Sequence, residues 1–145
     1  MNDSAGLLLT AAQMREIIAH CRSERPNEAC GLLAGRGGRV LRVYPARNAE
    51  RSPQSFLIHP DDQLRAMSEM ERDGLEFTAV YHSHPTSDAV PSHRDIQLAT
   101  YPEALNLIVS LKREPVVCRA YRIVGGHQSE VPLAIEKEAP DVRSK

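Results

Sequence analysis

His82-Ser83-His84-Pro85 is followed, after an interval of six residues, by Ser92-His93-Arg94-Asp95. On a strand, residues i and i+2 project to one face, so His82 and His84 would stand side by side as two imidazole donors. Pro85 ends such a strand and gives the chain a way to fold back. On a helix, Ser92 and Asp95 are i and i+3 and share a face. Two imidazoles and a carboxylate can form the protein share of a catalytic zinc site, which keeps its fourth tetrahedral position open for water. Such an ion brings the pKa of that water toward neutrality. A hydrolase also needs a group to carry protons between water and leaving group, and a Glu suits that task.

Each half of the pattern has a plainer reading. His-x-His pairs arise by chance. Ser92-x-x-Asp95 ahead of an apolar run is an ordinary helix start, with Ser92 as cap and Asp95 near the positive helix end. Capping and metal binding can hold together, since a capping hydroxyl can still face the site. Other histidine-based zinc patterns fit poorly: no His-Glu-x-x-His is present. Cys118 also stands alone where a deaminase site would need Pro-Cys-x-x-Cys. The two halves together are far more specific than either one.

The elements that must position these residues can be read from spacing. Thr10-Ala-Ala-Gln13 has the form of a capping box, and Met14, Ile17, Ile18 and Cys21 follow at helical spacing, so a helix is expected over about 11–24, before Pro26. Cys30–Gly35 and Val40–Tyr44 flank Gly37-Gly38 as a hairpin. A polar loop, Asn48 to Gln54, precedes a short expected strand at Phe56–Ile58. Pro60 opens a second helix, with Leu64, Met67 and Met70 as its inner face and Asp73-Gly74 as its end. Leu75 to His84 reads as the strand that carries both histidines. A short helix is expected from Ser92. Strands follow at Ala104–Leu111, Val116–Val124 and about Glu130–Ile135, with Gly125-Gly126 as a turn. The pattern is mixed α/β (α+β), without the strict strand–helix alternation of a doubly wound parallel sheet.

Composition sets the outer bounds. The chain has 145 residues, 41% of them hydrophobic, which suits one domain. Eighteen Lys and Arg against nineteen Asp and Glu leave a net charge of −1, so no global field recruits nucleic acid or an anionic membrane. The apolar runs are too short to span a bilayer, and the N-terminus has no signal-peptide pattern. Three cysteines, at 21, 30 and 118, exclude a disulfide framework and a four-cysteine zinc module, and they fit a reducing, cytoplasmic setting.

The whole pattern, with a Glu upstream, resembles the JAMM (MPN-plus) metalloprotease family. The resemblance covers about residues 11–135 and implies a single catalytic domain with an MPN-type curved mixed sheet packed by helices. Residues 1–10 are read as an N-terminal extension and 136–145 as a flexible tail. It implies one Zn2+ per chain, held by His82, His84 and Asp95. Glu28, in Glu28-Ala-Cys-Gly-Leu-Leu-Ala-Gly35, matches the family's Glu at the start of the first core strand; outside that context a single Glu there would be a solvated loop charge. By resemblance, Glu28 activates the water and protonates the leaving amine, and Ser92 donates a hydrogen bond to the developing oxyanion.

Asn48-Ala-Glu-Arg-Ser-Pro53, Ala99-Thr-Tyr-Pro-Glu103 and Tyr121-Arg-Ile-Val-Gly125 extend the resemblance to the bacterial members that process sulfur carriers. The function this implies is zinc-dependent hydrolysis of a C-terminal amide after glycine on a ubiquitin-like carrier ending in Gly-Gly, releasing cysteine or a small adduct. The extended tail could pair with an exposed strand edge near the site. Two alternatives stand beside it: a general isopeptidase or peptidase of ubiquitin-like conjugates, and a metal-free MPN-type binding scaffold. Among the remaining residues, Ser83 is expected to face away from the metal, Cys30 to be buried, His93 to be on the surface, and Asp88 to line the entrance. His20, His59 and His127 are expected to be structural or exposed.

Overall fold

The computed structural model describes residues 6–99 and 101–137. Eight strands and three helices follow in the order β1 (Leu7–Thr10), α1 (Ala11–Ser23), β2 (Cys30–Arg36), β3 (Arg39–Ala46), α2 (Pro60–Asp73), β4 (Glu76–His84), α3 (His93–Gln97), β5 (Leu105–Ser110), β6 (Val117–Val124), β7 (His127–Val131) and β8 (Leu133–Glu136). They form one mixed sheet, ordered β7-β6-β5-β4-β2-β3-β1-β8. Pairing is parallel between β4 and β5, β1 and β3, and β1 and β8, and antiparallel elsewhere. This is the mixed α/β architecture expected from the sequence. Its curvature follows from the connectivity: only Pro132 separates β7 from β8, which lie at opposite ends of the sheet order, so the sheet must curl until its ends approach. Register shifts in β2, beside Ala34, allow part of this bend.

Strand alternation sorts the buried residues into two layers. Leu33, Ala79, Tyr81, Leu107 and Val109 pack with Met14, Ile17 and Cys21 of α1. Leu32, Ala34 and Val80, on the other side, pack with Ala66 and Met70 of α2. Along β4, Val80, His82 and His84 therefore share the α2 side, while Ala79, Tyr81 and Ser83 face α1. Both histidines are carried on the most interior part of the sheet, and each is at most 3% exposed. The helix starts follow the expected chemistry. Thr10 and Gln13 form the reciprocal capping box of α1. Pro60 begins α2, and Gly74, at φ 67° and ψ 32°, ends it in the left-handed conformation glycine tolerates.

Four expectations are corrected. Leu64 is 69% exposed, and the buried stripe of α2 is Ala66 and Met70, with Met67 partly buried; the small Ala66 permits close approach to the sheet and rotates Leu64 outward. Phe56–Ile58 makes one isolated bridge, Asn48 to Ile58, because the Asn48 side chain takes the Leu57 amide in place of a strand ladder. The expected strand at Glu130–Ile135 is split by Pro132, which has no N–H, into β7 and β8. Leu7–Thr10, read as part of an extension, is β1 of the sheet, with Leu7 and Leu9 in the core. At the other end, Glu136 closes β8, and 138–145 lie outside the described residues. Among the described residues, no helix is long and apolar enough to cross a membrane.

Gly31 shows how tightly the strands under the site pack. A Cβ there would lie 2.3 Å from the Tyr81 ring and 2.7 Å from the Tyr44 carbonyl oxygen. The Tyr81 hydroxyl is held by His20 Nδ1 at 2.6 Å, so the ring has no easy retreat. Gly31→Ala is expected to cost about 1–3 kcal/mol, as overpacking typically does. Denaturant unfolding would read this, and wild-type stability would refute the contact.

Candidate metal centre

Beyond Val80 the α2 side of β4 runs past its apolar cover, and His82 and His84 turn their Nε2 atoms to a common point, 3.1 Å apart. Pro85 ends the strand, and the chain returns through Asp88 to α3. There Asp95 places Oδ2 3.2 Å from His82 Nε2 and 3.0 Å from His84 Nε2. Zinc bonds to nitrogen and oxygen are about 2.0–2.2 Å long, so a tetrahedron of such bonds has edges of roughly 3.3–3.5 Å. The three donor atoms thus come close to one face of that tetrahedron and are the one His/Cys/Asp/Glu cluster of metal-holding geometry among the described residues.

The surroundings orient these donors. His84 Nδ1 lies 2.7 Å from the Asp88 carbonyl oxygen, so Nδ1–H donates there and Nε2 keeps its lone pair for the centre. His82 Nδ1 is buried without a partner among the described residues. Its ring is held instead by stacking on Phe56, with centroids 4.5 Å apart and planes at 23°. Ser92 caps α3: its Oγ accepts from the Asp95 amide at 3.0 Å, and its own amide donates to Asp95 Oδ2 at 2.9 Å. The helix-start reading and the metal reading of this segment therefore coexist in one geometry.

Electrostatics acts differently on the three donors. Burial pushes His82 below the usual imidazole range. Burial alone would raise Asp95, but the close approach of the His82 and His84 rings and the bond from the Ser92 amide hold it far below the usual carboxylate range. Burial would lower His84, and its bonds to Asp95 and the Asp88 carbonyl outweigh that and raise it.

Glu28 sits at the edge of the same site, 4% exposed, with Oε1 unpartnered among the described residues. Burial pushes its carboxyl up to about 8, against the pull of nearby His84. Its backbone is fixed on several sides. The Glu28 amide donates to the Ser52 carbonyl at 2.8 Å, and Asn48 Nδ2 donates to the Glu28 carbonyl at 3.0 Å. The next residue exchanges two bonds with β4: the Ala29 amide donates to Ser83 Oγ at 2.8 Å, and the Ser83 amide donates to the Ala29 carbonyl at 3.0 Å. Since Cys30 pairs with His82, alternation puts Glu28 on the histidine side.

A sequence profile described as prokaryotic homologs of the JAB domain matches residues 10–124. The chain belongs to the JAMM (JAB/MPN) family. The CysO-cysteine peptidase of Mycobacterium tuberculosis (strain ATCC 25618 / H37Rv) is 38% identical over 136 residues, covering 91% of this chain and 92% of that protein. A probable TtuB-protein conjugate cleaving protease from Thermus thermophilus is 44% identical over 89 residues, 61% of this chain and 60% of that protein. Among solved structures, a Desulfitobacterium hafniense protein superposes with a TM-score of 0.83 at 39% identity, covering 91% of this chain and 94% of that one. As a JAMM enzyme the chain is a hydrolase of peptide-type bonds.

In this JAMM chain, all five residues singled out from sequence lie in one neighbourhood: His82, His84 and Asp95 as the triangle, Ser92 bonded to Asp95, and Glu28 close enough to feel His84 and Asp95. Ser83 faces away from the triangle as expected, and its task is the tie to Ala29. Cys30 is buried, its thiol pushed up to about 12 by burial, which leaves it unreactive. His93 and His127 are exposed, His59 caps α2, and His20 binds Tyr81. Asp88 acts through its main chain on His84, while its carboxylate pairs with Lys112 at 3.4 Å.

Three supporting features lay outside the sequence reading. Phe56, Asn48 and the Asp88 carbonyl act through contacts 26, 20 and 4 residues distant along the chain. The edge expected to receive an extended tail is not on β4, which pairs with β2 on one side and β5 on the other up to the histidines.

Proposed function

We propose that this chain is a zinc-dependent hydrolase that cleaves a C-terminal amide after glycine on a ubiquitin-like sulfur carrier, releasing cysteine or another small adduct. The observation that carries this reading is the His82–His84–Asp95 triangle with the unpartnered Glu28 oxygen beside it. The donor set, two imidazoles and one carboxylate at nearly tetrahedral spacing, suits zinc and leaves room for a non-protein ligand. Zinc bound there would supply Lewis acidity, toward water and toward the scissile carbonyl.

The chain's own residues would then do the following. Glu28, with a carboxyl held near neutrality, accepts a proton from the attacking water and returns it to the leaving amine. Ser92 Oγ already accepts from the Asp95 amide, so its own O–H is available to donate to oxygen charge developing on the glycine carbonyl. His84 is steadied by the Asp88 carbonyl, and His82 by Phe56. The substrate assignment is supported by the likeness to a CysO-cysteine peptidase over nearly the whole chain. The Thermus relative, a probable protease of protein conjugates, supports a second reading as a more general isopeptidase. Intact ligand donors and Glu28 disfavour a binding scaffold.

The test is intact mass of a Gly-Gly carrier bearing C-terminal cysteine, incubated with zinc-loaded protein. Loss of one cysteine residue with the wild type, and none with Glu28→Gln, is the expected result. An unchanged mass with zinc shown to be bound would refute the carrier–cysteine substrate.

A further inference from the structure

The loop of residues 47–59, between β3 and α2, closes on itself at its base. The His59 amide donates to the Arg47 carbonyl at 2.9 Å, and the Arg47 guanidinium takes Asp62 of α2 in two bonds of 3.0 and 2.9 Å. Loops with such close ends are packed by their own side chains, and here the filling residue is the buried Asn48. Its Nδ2 donates at 3.0 Å to both the Ser55 and the Glu28 carbonyls. Its Oδ1 accepts from the Glu50 amide at 3.0 Å and the Leu57 amide at 3.1 Å. A side-chain amide has two N–H donors and two acceptor lone pairs, so all four are used. Three of these bonds stay within the loop; the fourth leaves it for Glu28.

Glu28 lies just outside the regular sheet. The β2–β4 ladder begins at Cys30, and both main-chain groups of Glu28 go to the 47–59 loop, the N–H to Ser52 and the C=O to Asn48. The peptide joining Glu28 to Ala29 is therefore gripped at both ends, its C=O by Asn48 and its N–H by Ser83 Oγ at 2.8 Å. The carboxyl has no comparable hold at Oε1, which is unpartnered among the described residues, so the main chain sets where that oxygen stands. Without Asn48 the Glu28 carbonyl is buried and unpaired. Turning the peptide toward another partner would swing the Glu28 side chain with it.

We propose that Asn48 is a positioning residue for the hydrolysis, holding the Glu28–Ala29 peptide so that the Glu28 carboxyl stays aimed at the His82–His84–Asp95 triangle. This deepens the reading of Glu28 as the proton carrier and rests on it. Asn is the residue type the place requires. Asp has its shape and keeps acceptors for the Glu50 and Leu57 amides, but as a carboxylate it has no N–H for the Glu28 and Ser55 carbonyls.

A double-mutant cycle with Glu28→Gln tests this, with turnover of the carrier–cysteine substrate read at saturating zinc. Asn48→Asp and Asn48→Ala should each lower kcat about 10- to 100-fold, the cost of moving a reacting group by about 1 Å. KM should change by no more than about 3-fold, since the group displaced acts on the chemical step. On the Glu28→Gln background the same changes should cost at most about 3-fold more, because no carboxyl is left to misplace. A residue that served only folding of the loop would lower both backgrounds alike. Equal losses in the two backgrounds, or a change in KM with kcat intact, overturn the proposal. Near-wild-type turnover by Glu28→Gln alone refutes the proton-carrier reading, and the proposal falls with it. Should wild type leave the carrier uncleaved, the substrate reading alone fails, and a crystal structure of zinc-loaded Asn48→Asp decides. The Glu28 carboxyl should stand more than about 0.5 Å from its wild-type place with the triangle unmoved; an undisplaced Glu28 overturns the proposal.

Discussion

Glu28→Gln is expected to keep zinc, lose about 10²–10⁴-fold in kcat, and gain stability at alkaline pH. The loss of rate follows from removing the one carboxyl that can carry a proton between water and leaving amine while leaving His82, His84 and Asp95 in place. The gain follows from burial. Unfolded, Glu28 titrates near its ordinary value of 4.5; folded, it holds its proton up to about 8. Between those values the native state binds more protons than the unfolded state, so stability falls as pH rises through that window. Gln is neutral throughout and removes the slope. In chelator, the variant should match wild type near pH 4 and exceed it by an amount on the order of 3 kcal/mol at pH 8. Urea titrations at both pH values, with metal content and kcat measured in parallel, check all three parts. Near-wild-type turnover would remove Glu28 from its assigned role.

Asp95→Ala carries the second large effect. It deletes one vertex of the triangle and, with it, the acceptor for the Ser92 amide. Changes to groups that only orient metal ligands usually cost 10–100-fold in affinity. Loss of the ligand itself should therefore exceed about 100-fold in zinc affinity, with activity falling in step. Competition against a chromophoric chelator reads the affinity directly. Asp88→Ala is the contrast, since Asp88 serves His84 through its main-chain carbonyl and should retain zinc. Wild-type zinc affinity in Asp95→Ala would dissolve the assignment of the triangle.

The readable part of this protein was the part whose physics is local. Two histidines two residues apart on a strand, a serine and an aspartate three apart on a helix, and the turn between them are each set by one element's period. Capping of α1 by Thr10 and Gln13 and termination of α2 at Gly74 are local in the same sense. What escaped was decided across the chain. Leu64 has the spacing of an inner-face residue, yet the sheet accepts Ala66 because its small side chain lets the helix approach. Phe56 looks like part of a strand, but Asn48 takes the ladder's place and leaves the ring to stack on His82. Leu7–Thr10 is too short to show a period, and its partner β8 lies more than a hundred residues away. Pro132 was visible in the sequence. What it does, sending β7 and β8 to opposite ends of one sheet, depends on the whole topology.

The ligands are also unequal in how they are mounted. His82, His84 and Glu28 belong to the central strands and their mutual ties, whereas Asp95 rides on α3, five residues long with no fully buried side chain. A helix so short has almost no intrinsic stability. Its order therefore depends on the cap, on partly buried contacts such as Ile96, and on whatever Asp95 grips. Ion release and loosening of α3 become one thermodynamic event, and the measured zinc affinity includes the cost of fastening that helix to a prebuilt half-site. A relative with a better anchored α3 could bind the ion more tightly with the same three ligands.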